Sequence, residues 1–213
     1  LRWGEGMTRI YDCLSHDFVY HDLSKMMIFA GNHDTDRIGD VVRKNPERMK
    51  IVLTMLATMR GIPQVFAGDE MMFTSKDLSQ GHGGLRVDFP GGWAGDKTDL
   101  FSAEGRTGLE KELFDHAQRL FQWRKGKTVL HNGRTMHFLS RDNTYAYFRY
   151  DDTDAVFVFI NNSRGKKQVP WSHYAEIAAG LHDGRNVLTG EAAEVSDATV
   201  VGPRQALVVE FKR

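Results

Sequence analysis

Two short, continuous apolar segments constrain what this chain can fold into. The first covers residues 25–30 and ends at Gly31, and the second covers residues 62–67 and ends at Gly68. Uninterrupted apolar character over about six residues is typical of strands that are buried on both faces, as in a parallel sheet covered by helices. The sequence therefore predicts a sheet whose strands are separated by helices.

Three helices are predicted around these strands. Residues 7–19 place apolar side chains at helical spacing. Asn45 and Pro46 form a helix start, and the apolar stripe behind them ends at Gly61. A capping box over residues 107–110 opens a helix that ends near Lys125, after a long loop over residues 68–106. Residues 1–125 thus predict part of a doubly wound sheet or of a (β/α)₈ barrel.

The pattern changes after residue 126, where the helical period disappears. Short segments rich in Tyr, Phe and Val predict strands over residues 134–140, 144–150, 155–161, 168–169, 186–188, 194–201 and 205–211. Residues 151–154 predict a turn between two of them. We expect an antiparallel β-sandwich over residues 126–213, following a first domain over residues 1–125.

The composition excludes several classes of function. The 28 basic and 28 acidic side chains among 213 residues give no net charge, which argues against nucleic acid or a membrane surface as partner. The longest apolar run, over residues 155–160, is too short to span a bilayer. A single cysteine, Cys13, excludes an internal disulfide framework and most cysteine-based metal sites.

Carboxylates follow both predicted strands, at the ends where sheets of this class carry their functional side chains. His33 and Asp34 come after the first strand, and Asp69 and Glu70 come after the second. Asn and Asp at such positions also commonly cap turns and helices. Taken alone, neither group distinguishes a catalytic role from a structural one.

The two motifs in this order resemble the α-amylase family of glycoside hydrolases. Residues 29–34 resemble the family signature after barrel strand seven, and residues 61–70 resemble the signature of strand eight. Residues 85–93 are similar to the loop after strand eight in neopullulanase-like and cyclomaltodextrinase-like members, notably from Bacteroides-type bacteria. The resemblance implies the C-terminal part of a (β/α)₈ TIM barrel, strands 7 and 8, followed by an antiparallel β-sandwich.

The resemblance also implies roles for individual residues. Asp34 matches the family's third catalytic carboxylate, which stabilises the transition state and is not the nucleophile. Asp69 and Glu70 match positions that are not catalytic in the family. The residues expected to bind substrate are His33, Asn32, Arg37, Arg86, Asp88 and Trp93. Arg37 can instead pair with a carboxylate, and Trp93 can instead anchor the loop. The resemblance assigns no metal ligand to this chain.

The implied parent enzyme is a retaining hydrolase of α-1,4 linkages in maltooligosaccharides, cyclodextrins, pullulan or starch. Its nucleophile and acid/base follow barrel strands four and five, upstream of Leu1. We therefore expect the 213 residues to be a C-terminal fragment that is inactive alone. We expect no cofactor in this chain, while calcium and a homodimer are compatible with the full-length enzyme. A periplasmic or secreted location is favoured over the cytoplasm.

Two rival functions stay open at this level. A glucanotransferase of the same family would pass the glucosyl intermediate to a sugar instead of water. A non-catalytic module would bind glucan through exposed aromatic side chains of the β-sandwich, such as Trp171 and Tyr174. The alternative for Trp171 is packing at the edge of a strand.

Overall fold

The computed structural model describes residues 6–213, apart from the side chains of Leu78 and Gln80. Its first half alternates helices with short strands: α1 (Thr8–Ser15), β1 (Met27–Phe29), α2 (Ile38–Val41), α3 (Pro46–Thr58), β2 (Ile62–Gln64), α4 (Gly108–Lys125) and α5 (Thr128–Asn132). The second half contains β3 (Arg134–Arg141), β4 (Thr144–Tyr150), β5 (Asp154–Asn161), β6 (Lys167–Gln168), α6 (Ala175–Ala178), β7 (His182–Asn186), β8 (Val200–Val201) and β9 (Gln205–Lys212). Short 3₁₀ turns lie at Asp17–Val19, Leu23–Lys25, Asp69–Met71, Leu78–Leu85 and Trp171–Tyr174.

The packing divides the chain into two compact units. The first, which we call the site unit, contains residues 27–57 and 63–121. The second, which we call the β unit, contains residues 6–26, 58–62 and 122–213. The predicted division into a first domain over residues 1–125 and a sandwich over residues 126–213 stays a prediction.

The core of the site unit forms where α3 and α4 bury their apolar stripes. Asn45 caps α3 as predicted, because its Oδ1 accepts a hydrogen bond from the Arg48 N–H at 2.9 Å. The buried cluster contains Ile38, Val42, Met49, Leu53, Met72, Leu113 and Ala117. The helical periods read from the sequence therefore identified the faces that pack together.

The two short strands of this half are adjacent but less buried than predicted. β1 and β2 form a two-stranded sheet. Met27 is 59% exposed, Phe29 is 44% exposed and Ile62 is 56% exposed. The prediction of strands buried on both faces is therefore wrong for this structure, because in the described residues each strand has a single neighbour.

The second half forms the predicted antiparallel sandwich. Its larger sheet has the order β3-β4-β5-β9-β7, so that β9 lies between β5 and β7, and its smaller sheet pairs β6 with β8. A two-residue turn joins β3 to β4, with Asp142 at φ +48° and Asn143 at φ +61°, which is the backbone of a type I′ hairpin. The core residues include Phe148, Phe157, Phe159, Val169, Trp171, Tyr174, Val201, Val209 and Phe211.

The strands of this sandwich match the prediction unevenly. β3, β4, β5 and β9 lie within one residue of their predicted bounds. The predicted strand over residues 194–201 shrinks to Val200–Val201, and β7 lies at His182–Asn186 and not at 186–188. The turn at residues 151–154 is confirmed, since Asp151 Oδ1 accepts the N–H groups of Thr153 and Asp154 at 2.9 Å. No helix within residues 6–213 is long and apolar enough to cross a membrane.

Candidate active site

The turn after β1 presents Asp34 to solvent. Asn32 Oδ1 accepts a hydrogen bond from the Asp34 N–H at 2.9 Å, and the Asn32 N–H donates to Thr35 Oγ1 at 2.9 Å. These two bonds fold the backbone back on itself and fix the position of the carboxylate. The side chain of Asp34 is 54% exposed. Asn32 thus orients the turn, and its predicted contact with substrate stays a prediction.

Three cationic or cation-forming side chains surround the Asp34 carboxylate. His33 Nε2 lies 3.1 Å from Oδ2, Arg86 Nη2 donates to Oδ1 at 3.0 Å, and His82 Nδ1 lies 3.4 Å from Oδ1. Partial desolvation works against ionisation of Asp34, yet the His82 hydrogen bond and the charges of His33 and Arg86 together lower its pKa. Asp34 is therefore held as an exposed carboxylate anion.

Arg86 and His82 reach Asp34 from the long loop after β2. Arg86 also donates from Nε to the His33 carbonyl at 3.3 Å, which ties this loop to the turn after β1. The binding of substrate by Arg86 stays a prediction. The sequence analysis missed His82. A histidine between Gly81 and Gly83, in a loop after a strand, is the signal that could have found it.

Arg37 lies inside the protein and does not line an open surface. It is 2% exposed, and its Nε donates to the Leu85 carbonyl at 2.8 Å. Its Nη1 donates to the Ala67 carbonyl at 2.7 Å and to Asp69 Oδ1 at 3.1 Å, while the guanidinium stacks on the Phe66 ring at 3.8 Å. The assignment of Arg37 to substrate binding is corrected, because all of these partners bury it. The alternative, that Arg37 pairs with a carboxylate, agrees with its contact with Asp69.

The two carboxylates after β2 have structural partners. Asp69 is 4% exposed and pairs with Arg37. Burial raises the pKa of Asp69 to about 6, against the lowering effect of the Arg37 hydrogen bond and charge. Glu70 Oε2 accepts the Gly68 N–H at 2.9 Å. Neither side chain is placed as a reacting group of an open site.

The remaining predicted site residues lie on or near this loop. Asp88 is exposed, and Trp93 is 83% exposed, so Trp93 is not a buried loop anchor. In the β unit, Trp171 is 4% exposed and Tyr174 is 6% exposed, so the prediction of exposed glucan-binding aromatics there is wrong. Both rings pack against Phe157 in the aromatic core, at centroid distances of 4.5 and 5.3 Å.

The described residues contain no group of three or more His, Cys, Asp or Glu side chains arranged to hold a metal ion.

Two family models match the chain. The model of the α-amylase catalytic domain matches residues 9–164, and the model of the cyclomaltodextrinase C-terminal domain matches residues 135–210. The first match alone covers more than half of the chain. The chain belongs to the α-amylase family.

Curated members of the α-amylase family resemble the chain over most of its length. A cyclomaltodextrinase from Geobacillus thermopakistaniensis (strain MAS1) is 26% identical over 184 residues, which is 84% of this chain and 28% of the relative. A cyclomaltodextrin glucanotransferase from Geobacillus stearothermophilus is 23% identical over 193 residues, which is 87% of this chain and 24% of the relative. The chain thus spans less than a third of the length of these relatives.

A solved α-amylase structure agrees on the fold. The α-amylase from Geobacillus thermoleovorans, complexed with acarbose, superimposes with a TM-score of 0.73 at 18% identity, over 100% of this chain and 44% of that chain. This likeness and the family matches confirm the predicted partial barrel followed by a β-sandwich.

Proposed function

We propose that this chain forms the part of an α-glucan-active site that follows barrel strands seven and eight. One observation supports this most strongly: Asp34 is an exposed carboxylate whose partners are His33, His82 and Arg86. The substrates are α-1,4-linked glucans, namely maltooligosaccharides, cyclodextrins, pullulan or starch. The names of the curated relatives and the inhibitor in the related crystal structure support this class of substrate.

Asp34 acts in this proposal by stabilising positive charge. Cleavage of a glycosidic bond passes through an oxocarbenium-like state, and a fixed anion near the sugar gains interaction energy as that charge develops. The surrounding histidines and arginine keep the carboxylate ionised and oriented before substrate arrives. In this proposal His33, whose side chain is 60% exposed, hydrogen-bonds the same sugar.

The nucleophile and the acid/base come from outside this chain. A retaining glycosidase needs two reacting carboxyl groups roughly 5–5.5 Å apart. Asp34 is neither of these two groups in this proposal. Asp69 is engaged by Arg37 and Glu70 by the Gly68 N–H, so we assign neither reacting group to this chain. We therefore propose that the 213 residues alone do not hydrolyse maltooligosaccharides. Robust release of reducing sugar by this chain would contradict that part of the proposal.

Glucan transfer is the second candidate function, because one curated relative is a cyclomaltodextrin glucanotransferase. Transfer and hydrolysis share the glycosyl intermediate and differ in the acceptor. Product analysis with and without added glucose, using the polypeptide that carries this chain, separates the two functions. Oligosaccharides that carry the added glucose at their reducing end would favour transfer.

Several properties of the parent enzyme remain proposals. A periplasmic or secreted location suits an enzyme that meets glucan polymers, since such polymers do not cross membranes unaided. We also propose that the full-length enzyme binds calcium outside this chain and forms a homodimer.

The central test is an Asp34→Asn substitution in the polypeptide that carries this chain. The amide keeps the size of the side chain and removes its negative charge. We expect kcat on maltoheptaose to fall by about 10²–10³-fold, because loss of one preorganised charge-stabilising group typically costs that much. KM should change far less.

Asp36→Asn is the matched control, two residues further along the same exposed turn. It should leave kcat within twofold of the parent value. If Asp34→Asn kept more than a tenth of the activity, or if both substitutions reduced activity equally, the proposed role of Asp34 would be rejected.

A further inference from the structure

The loop after Arg86 carries two large aromatic side chains that face solvent. Trp93 is 83% exposed and Phe101 is 63% exposed. Phe101 lies beside the backbone next to Trp93, because a Cβ atom built on Gly92 would lie 3.3 Å from Phe101 Cε2, and Trp93 follows Gly92 directly. Two large exposed aromatic side chains on neighbouring parts of one loop expose more apolar surface than a single surface residue does, and such surfaces commonly mark a binding site.

The backbone under Phe101 is fixed by several hydrogen bonds. The Leu100 N–H donates to the Pro90 carbonyl at 3.0 Å, and the Leu100 side chain is 2% exposed. The Phe101 N–H donates to Asp99 Oδ1 at 3.0 Å, and Arg106 Nη1 donates to the Leu100 and Phe101 carbonyls at 2.8 and 3.0 Å. The exposed Phe101 ring is therefore attached to a backbone that is held by hydrogen bonds and anchored by the buried Leu100 side chain.

The backbone under Trp93 is fixed in the same manner. Its N–H donates to Asp96 Oδ2 at 3.0 Å, and its carbonyl accepts the Asp96 N–H at 3.2 Å. Gly91 has φ +107°, and a Cβ there would lie 2.4 Å from Asp99 Oδ1, so the two arms of the loop meet closely. Rings presented by a fixed backbone lose little conformational freedom on binding, which favours affinity.

A row of aromatic rings joins Phe101 to the rest of the site unit. The Phe101 ring lies 4.5 Å from the Phe89 ring, and the Phe89 ring lies 5.5 Å from the Phe73 ring. Phe89 is only three residues beyond Arg86, whose guanidinium contacts Asp34. The exposed pair is thus continuous with the loop that carries part of the candidate active site.

We propose that Trp93 and Phe101 form a platform that binds an α-glucan unit away from the linkage being cleaved. This inference rests on the proposed function and adds Phe101 to the predicted site residues. Glucose offers C–H groups on its ring faces and hydroxyls at its rim, so it suits a flat ring flanked by polar side chains. Asp88, Asp96 and Lys97 are exposed on this loop and provide that polar surrounding.

The test measures maltoheptaose binding by titration calorimetry, in the polypeptide that carries this chain with an Asp34→Asn background that prevents turnover. Trp93→Ala and Phe101→Ala should each raise the Kd for maltoheptaose at least fivefold and change the Kd for maltose by less than twofold. In this proposal maltose occupies only the subsites beside Asp34, whereas maltoheptaose also extends to the platform. Both side chains are exposed, so folding is retained, and circular dichroism verifies it.

Phe18→Ala is the matched control, since Phe18 is 83% exposed but belongs to the β unit. It should leave both Kd values unchanged. The platform is rejected if the Trp93 and Phe101 variants bind maltoheptaose like their parent, or if Phe18→Ala loses as much affinity. No maltoheptaose binding in the parent would overturn the proposed function as well, which distinguishes the two failures.

Discussion

The turns after β1 and β2 each place a carboxylate beside an arginine, in opposite surroundings. Asp34 and Arg86 have side chains that are 54% and 52% exposed, whereas Asp69 and Arg37 are 6% and 1% exposed. The polar partners of Asp34 lower its pKa, while burial raises the pKa of Asp69 to about 6. The same pair of residue types therefore serves as an open anionic group in one turn and as an internal support in the other.

The largest expected effect comes from removing the buried arginine. Arg37→Met leaves Asp69 and the carbonyls of Leu85 and Ala67 without their donor inside the protein. We expect the free energy of unfolding to fall by about 3–5 kcal/mol, as for other broken buried pairs. Arg86→Met removes the exposed partner of Asp34 and should cost less than about 1 kcal/mol.

Urea denaturation of both variants checks this difference. Equal losses of stability in the two variants would show that exposure does not distinguish the two pairs. A loss below 1 kcal/mol for Arg37→Met would contradict a supporting role for the buried pair.

The pH dependence of stability gives the next largest effect. The folded pKa of Asp69 is raised from 3.8 to about 6, so the folded state binds this proton more tightly than the unfolded state. The stabilising contribution of Asp69 is complete below pH 3.8 and is lost as the pH rises through 6.

His116 in α4 provides the opposite dependence. Burial lowers its pKa from 6.5 to about 4, and its Nε2 lies 3.0 Å from Thr54 Oγ1. Its contribution is complete above pH 6.5 and is lost as the pH falls through 4. In the parent chain the two dependences offset each other over this range.

Single substitutions should separate these two contributions. In Asp69→Asn only the His116 dependence remains, so the free energy of unfolding should fall as the pH is lowered. In His116→Gln only the Asp69 dependence remains, so the free energy of unfolding should fall as the pH is raised. Each change should amount to roughly 2–3 kcal/mol between the folded and unfolded pKa values of the remaining group. Urea midpoints at several pH values measure both slopes. Parallel pH profiles for the two variants would contradict the assigned directions.

A smaller effect tests the backbone of the buried turn. Gly68 has φ +93°, and a Cβ there would lie 2.1 Å from a ring carbon of Phe73. Gly68→Ala should cost about 2 kcal/mol, from the left-handed backbone and the displaced ring together. Gly95→Ala is the matched control, since Gly95 has φ +95° with nothing within 4 Å of the added atom, and it should cost about 1 kcal/mol. Thermal unfolding compares the stability of the two variants. An equal loss of stability would show that contact with the Phe73 ring adds nothing to the cost of Gly68→Ala.

Local sequence signals predicted much of this fold. The Asn45 cap, the stripe of α3 and the strand-forming residues of β4 and β5 each act through near neighbours in the chain. The exposure of β1 and β2 could not be predicted in this way, because burial depends on which other strands lie beside them. A sequence pattern indicates which secondary structure a segment favours, but it does not indicate which other segments pack against it.

The candidate site was predicted in part for the same reason. Asp34 was identified from a motif within one turn. The position of Arg37 depends on carbonyls 30 and 48 residues away along the chain, and the contact of His82 with Asp34 spans 48 residues. Such contacts depend on the path of a long loop, which has no periodic pattern to reveal it.

The position of β9 has a consequence for synthesis in the cell. Residues 205–212 lie between β5 and β7, both of which precede them in the chain. While the polypeptide emerges from the ribosome, β5 and β7 have no partner along these edges until the codons for β9 have been translated. From the completion of β7 at Asn186 until β9 is synthesised, both strands therefore present open edges, which are prone to mispairing. A premature stop before residue 205 would leave those edges open permanently.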